Sequence, residues 1–130
     1  MVTAVVGFIY PRAKRIVFAS AGHPAPIYAH REHAARPLEG SGLPLGVDEE
    51  ETYENYALNI ERGGLLLCYT DGILEYDRDL VKAESALLAA MTQAAEAPHA
   101  ACALDILYAT MGDSVSHDDI AMLLMRLKLE

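Results

Sequence analysis

The residues best suited to chemistry stand in two short clusters, Thr70-Asp71-Gly72 and His117-Asp118-Asp119. Each marks the end of an apolar run: Leu65 to Tyr69 leads into the first, and Ile120 to Leu129 leaves the second. A carboxylate at the end of a buried strand emerges at the rim of a sheet, where rigid backbone fixes its direction. Gly72, directly behind Asp71, keeps the neighbouring backbone bare enough for a ligand to approach. Crowded carboxylates repel one another, so Asp71, Asp118 and Asp119 brought together would call for a cation or a shared proton. Hard oxygen ligands at strand ends suit Mg²⁺ or Mn²⁺ rather than zinc, which prefers His and Cys. Such convergence requires the two apolar strands to be neighbours in one sheet. Thr-Asp-Gly is equally ordinary turn chemistry, and an Asp pair before a strand is ordinary loop or cap chemistry. On spacing alone, both readings stand.

Other constellations fail when their spacing is checked. Ala19-Ser20-Ala21-Gly22 is no nucleophile elbow, because Phe18 stands where the first glycine is needed. His30-Arg31-Glu32-His33 lacks the H-E-x-x-H spacing. A calcium loop starting at Asp77 would need ligands where Val81 and Leu88 stand. No phosphate-binding loop with glycines leading to Lys-Ser/Thr is present. His23, between Gly22 and Pro24, reads first as a turn histidine, with a second role open as an acid or phosphate donor.

The elements that would carry these residues alternate in period. Val2 to Tyr10 is rich in β-branched and aromatic residues and stops at Pro11; Ile16 to Ala21 follows the turn, which predicts a hairpin. Pro26 to His30 predicts a short third strand, and the Gly-rich stretch from Glu39 to Val47 an irregular loop. Tyr56, Leu58 and Ile60 alternate as in a half-buried strand, and Gly63-Gly64 turns the chain into Leu65 to Tyr69. The period then becomes helical. Leu80, Leu87, Leu88, Met91 and Ala95 form one stripe behind a capping Asp79. Leu104, Leu107, Tyr108 and Met111 form a second stripe beyond Pro98. The near-continuous apolar run from Ile120 to Leu129 reads as a strand in the middle of a sheet. Antiparallel strands, then two helices and a closing strand, predict a single α+β layered domain.

The totals agree. The 130 residues suffice for one domain with a real core. With 52% hydrophobic and 22% charged residues, and no apolar run of membrane-spanning length, the chain reads as soluble, with no membrane partner expected. The start, Met1-Val2-Thr3-Ala4, has no basic segment, so no signal peptide is expected and the cytoplasm is the default. A net charge of −9 argues against nucleic acid, whose binding needs a basic face, and otherwise serves solubility. Cys68 and Cys102 form no CxxC pair and read as small buried hydrophobes in a reducing compartment.

In order along the chain, "FASAGHPAPIYA", "GLPLGV", "LLLCYTDGILE" and "HDDIAMLLMR" resemble the bacterial PP2C-like metal-dependent protein phosphatases, of the sporulation stage II E and RsbU type. The resemblance covers most of residues 3 to 127. It implies an α-β-β-α sandwich and hydrolysis of phosphoserine or phosphothreonine with two Mn²⁺ or Mg²⁺ ions. The substrate it implies is a phosphorylated regulatory protein of the anti-anti-sigma kind, within sigma-factor, stress or sporulation signalling. Carried over by motif, Asp71 and Asp118 match metal ligands, with Asp119 secondary, Gly72 a backbone neighbour and His23 part of the Ala-Gly-His motif. No catalytic group beyond the metal ligands is implied. The family's early segment also carries an Asp-Gly ligand pair, and nothing like it precedes Val2. The expectation is therefore the C-terminal portion of such a domain: a partial sandwich with about half of a bimetal site, weakly active or inactive alone. Apolar sheet or helix faces left uncovered would favour a homo-oligomer. The alternatives are a non-catalytic binding module of the same fold, which senses or sequesters a regulatory partner, and a generic α+β domain with turn aspartates.

Overall fold

The computed structural model describes residues 1–40, 42–74, 79–111 and 119–129. The predicted hairpin forms: β1 (Ala4–Tyr10) pairs antiparallel with β2 (Arg15–Ala21), with Ala4 opposite Ala21 and Tyr10 opposite Arg15. β2 pairs on its other edge with β5 (Tyr56–Asn59), which completes a three-stranded sheet in the order β1-β2-β5. The second sheet has the order β4-β3-β6-β7, built from β3 (Ile27–His30), β4 (His33–Pro37), β6 (Leu65–Tyr69) and β7 (Met122–Arg126). All ladders in both sheets are antiparallel. A single 3₁₀ turn (Asp71–Ile73) follows β6, and α1 (Leu80–Ala94) and α2 (Ala100–Met111) come before β7.

The period-two rule sorts β6 between two cores. Leu65, Leu67 and Tyr69 face the helices, where they pack with Ile27, Ala29, Leu87, Met91 and Leu107. Leu66 faces the first sheet, among Ile16, Phe18, Tyr28 and Leu58. The layers are therefore sheet, sheet and helices, the α+β partial sandwich with antiparallel strands and two helices that the sequence predicts. Asp79 caps α1 as expected, its carboxylate accepting from the Lys82 N–H at 3.2 Å. No described helix is long and apolar enough to cross a membrane.

Four expectations need correction. β7 is an edge strand rather than a central one, and Leu123 on it is 59% exposed. The central place belongs to β6, whose residues are nearly all buried. β4 has no counterpart in the sequence analysis. Its residues, His-Ala-Ala-Arg-Pro, have little β propensity and are tolerated because they form an edge. Leu80 and Tyr108 lie outside the helical stripes and are exposed, since each helix buries only the side turned to the sheet and to the other helix. Finally, Cys68 and Cys102 are half-buried rather than core residues; both are free thiols, and burial raises the pKa of Cys68.

Candidate active site

The β6–β7 ladder runs from Leu65 opposite Arg126 to Tyr69 opposite Met122, so the C-terminal end of β6 meets the N-terminal end of β7. The contact continues past the last ladder pair. The Thr70 N–H donates to the Ala121 carbonyl at 3.0 Å. The Thr70 hydroxyl accepts from the Ala121 N–H at 2.9 Å and donates toward the Asp119 carbonyl at 3.3 Å. Thr70 thus rivets the two strand ends, a role its place beside Asp71 did not advertise.

Asp71 opens the 3₁₀ turn. Its carbonyl accepts from the Leu74 N–H at 2.9 Å, while the Ile73 N–H donates to the Thr70 carbonyl at 3.2 Å. The backbone carrying the Asp71 carboxylate is held from both sides, and the residue itself is exposed. Gly72 is buried against the segment that leads into β7: a Cβ there would lie 2.6 Å from the Asp119 carbonyl oxygen. The space that glycine leaves is thus filled by the backbone just before β7 rather than kept for a ligand. Asp119 is exposed and adjacent to this contact. Asp118 lies outside the described residues.

Asp71 also lines a cavity of about 610 Å³ between the sheet end and α1, together with His23, Tyr69, Glu84, Leu87 and Leu88. His23 is half-buried; its Nδ1 lies 3.3 Å from the Thr3 hydroxyl, and its carbonyl accepts from the Ser20 hydroxyl at 3.3 Å. Gly22 before it has φ +66°, and a Cβ there would meet the Pro44 ring at 2.7 Å. That close approach joins the Ala-Gly-His motif to the Gly-Leu-Pro-Leu-Gly loop. Burial first, and then the charge of Glu84, raise the Tyr69 phenol above its ordinary pKa, so it stays a hydrogen-bond donor at neutral pH. Tyr69 and Glu84 were not singled out from sequence. One reads as a strand residue and the other as the polar side of a helix until α1 is laid across the sheet.

The family whose model matches residues 1–128 is the one described as Stage II sporulation protein E, SpoIIE. The chain belongs to the SpoIIE family. Over 62 residues it is 31% identical to the phosphoserine phosphatase RsbU of Bacillus subtilis (strain 168), a match covering 47% of this chain and 18% of that protein. Among solved structures, it superimposes with a TM-score of 0.87 on the RsbU and RsbW domains of Rv1364c from Mycobacterium tuberculosis. That likeness is at 24% identity and covers 98% of this chain and 37% of the other. The phosphatase domain of SpoIIE from Bacillus subtilis, presoaked with Mn, gives a TM-score of 0.75 at 16% identity, over 97% of this chain and 56% of that one. At such identities, the superpositions establish the PP2C-like fold. This SpoIIE-family chain spans less than two thirds of the length of each of these proteins.

Proposed function

We propose that the chain is the C-terminal portion of a metal-dependent protein serine/threonine phosphatase domain, one that acts on a phosphorylated regulatory protein of the anti-anti-sigma kind. Its setting would be bacterial sigma-factor, stress or sporulation signalling in the cytoplasm. The observation that carries this reading is the riveted meeting of strand ends, where Thr70, Asp71 and Gly72 lie against Asp119 to Ala121. The phosphoserine phosphatase activity in the name of the RsbU relative supports it.

The donors at this end fit Mn²⁺ or Mg²⁺. Asp71 and Asp119 are exposed carboxylates at strand termini, and oxygen is the donor such ions take. Asp71 would hold the ion, with Asp118 as the late ligand and Asp119 secondary. Upstream residues of a longer chain would supply the rest. A divalent pair bound there would activate water and neutralise phosphoryl oxygens in an in-line displacement.

The chain's own residues position and orient. Thr70 and the 3₁₀ turn fix Asp71, and Gly72 lets the segment leading into β7, which carries Asp119, come close to the same rim. If the Thr3 hydroxyl donates to His23 Nδ1, the ring proton sits on Nε2 as a donor for a phosphoryl oxygen. Tyr69, its phenol pKa raised by burial, offers a second donor lining the same cavity.

The test is Mn²⁺-dependent hydrolysis of p-nitrophenyl phosphate by this chain and by a version extended upstream. The extended version is expected to turn over only with metal, and Asp71→Asn is expected to lower its rate at least about a hundredfold. The 130-residue chain alone is expected to be weakly active or inactive. Metal-dependent turnover unchanged in Asp71→Asn would remove Asp71 from the site. No metal-dependent turnover in the extended protein would leave the non-catalytic binding module as the reading.

A further inference from the structure

Far from Asp71, four side chains that the proposed phosphatase chemistry does not use come together. His30 and His33 face each other across the β3–β4 hairpin as a cross-strand pair, with ring centroids 5.7 Å apart. Glu32 is in the hairpin turn, and Glu61 reaches in from the turn between β5 and β6. One ligand atom from each of the four lies within 4.8 Å of all the others, the one such group of three or more among the described residues. Ala29 pairs with Leu65 at the start of β6. Asp71, six residues further along, is therefore roughly 20 Å of strand away.

We propose that His30, His33 and Glu61, with Glu32 as the fourth ligand, form a zinc site that clips the β3–β4 hairpin to the β5–β6 turn. Two imidazoles with carboxylates make a donor set for Zn²⁺, whereas Mg²⁺ and Mn²⁺ favour oxygen alone. His30 is only 8% exposed, and its Nε2 lies 3.2 Å from the Arg62 carbonyl. A backbone carbonyl on the far ring nitrogen is the outer contact that orients a metal-bound histidine, and it leaves the Nδ1 lone pair turned to the cluster. Nδ1 accepts from the Glu32 N–H at 3.2 Å, a long hydrogen bond that a metal would displace.

Glu61 is positioned from behind. Its N–H donates to the buried Tyr28 hydroxyl at 3.0 Å, and its carbonyl accepts from Gly64 at 3.0 Å. Its two carboxylate oxygens lie 3.3 Å from His33 Nε2 and 4.0 Å from His30 Nδ1. Tetrahedral zinc with bonds near 2.0 Å sets its ligand atoms about 3.3 Å apart. One pair already has that spacing, and the exposed Glu32 and His33 side chains can rotate in to close the rest.

The test is calorimetric titration of the metal-free chain with ZnCl₂ in a non-chelating buffer, with thermal unfolding measured in parallel. One equivalent should bind at least tenfold more tightly than Mn²⁺ or Mg²⁺, and should raise Tm. The side chains of His33 and Glu61 are 61% and 46% exposed, so His33→Ala and Glu61→Gln should fold normally, as circular dichroism will verify. Each should weaken zinc binding at least tenfold and abolish the Tm rise, while Asp71→Asn should leave both intact. Absent binding, or binding unchanged in the His33→Ala/Glu61→Gln double variant, would overturn the site. So would zinc binding lost in Asp71→Asn but kept in His33→Ala, which would place the ion at the carboxylate rim. The result is independent of phosphatase activity.

Discussion

A methyl group added at Gly72 would point at the Asp119 carbonyl oxygen from 2.6 Å, and at the Asp119 carbonyl carbon from 3.3 Å. Both atoms belong to backbone, which has no rotamer to escape into. Gly72→Ala must therefore push β7 away from β6 at the point where Thr70 clamps them. The expected cost is about 1–3 kcal/mol, read as a lower urea midpoint with an unchanged slope. Divalent-ion affinity at the rim should fall with it, because Asp119 moves with that backbone. A midpoint equal to that of the parent chain would mean that the strand ends slide freely and that Asp71 lacks the fixed neighbour proposed for it. From sequence, the position of Asp71 just past the end of an apolar strand was legible, because such a run stopping at Asp-Gly is a local pattern. The reason for Gly72 was not, since the atom it avoids lies 47 residues further along the chain. Thr70 was hidden in the same way: its hydroxyl partners sit at positions 119 and 121, and nothing nearby requires them.

At the scale of elements, α1 ends without a basic residue in its last turn. Arg126 on β7 takes that place, donating from Nη1 to the carbonyls of Gly63 at 2.8 Å and Ala95 at 3.1 Å. Its Nη2 donates to Ala97 at 2.7 Å and Ala94 at 3.4 Å. One guanidinium thus satisfies the helix end, opposes the negative pole of its dipole and ties the helix to the turn before β6. Burial, with a smaller contribution from Arg31, lowers its pKa, and its Nε is buried without a partner among the described residues. Arg126→Met keeps the bulk and loses the fork, and should destabilise the chain by about 2–3 kcal/mol in chemical denaturation. Arg126→Lys should recover only part of this, because an ammonium cannot span the four carbonyls. If Met proves neutral, the helix end is served by water instead. In sequence, Arg126 merely interrupts an apolar strand. The two helices and the hairpin were legible because their period is local, whereas the strand order that makes β6 central and β7 an edge depends on pairings between distant segments.

At the scale of the molecule, the first sheet has two unlike faces. Val5, Gly7 and Ile9 of β1 turn inward, toward Ile16, Phe18 and Leu66 between the sheets. Val6, Phe8 and Tyr10 turn outward and are 61%, 66% and 45% exposed. β1 is also an edge strand, so its outer backbone groups have no ladder partner in the sheet. Apolar side chains beside an open edge form a template for another strand, and a second copy of the chain offers the same edge in complementary register about a twofold axis. The isolated chain is therefore expected to associate through β1 as its concentration rises, seen as a growing mass by light scattering or sedimentation. Val6→Lys with Phe8→Glu should restore the monomer without lowering Tm, since neither side chain is part of the buried core. A version extended upstream should also be monomeric if its added segment packs on this face. A chain that stays monomeric at high concentration, with or without these substitutions, would show that the exposed area is too small or too curved to pair. The sheet would then have to be stable with one face in water, as antiparallel sheets can be.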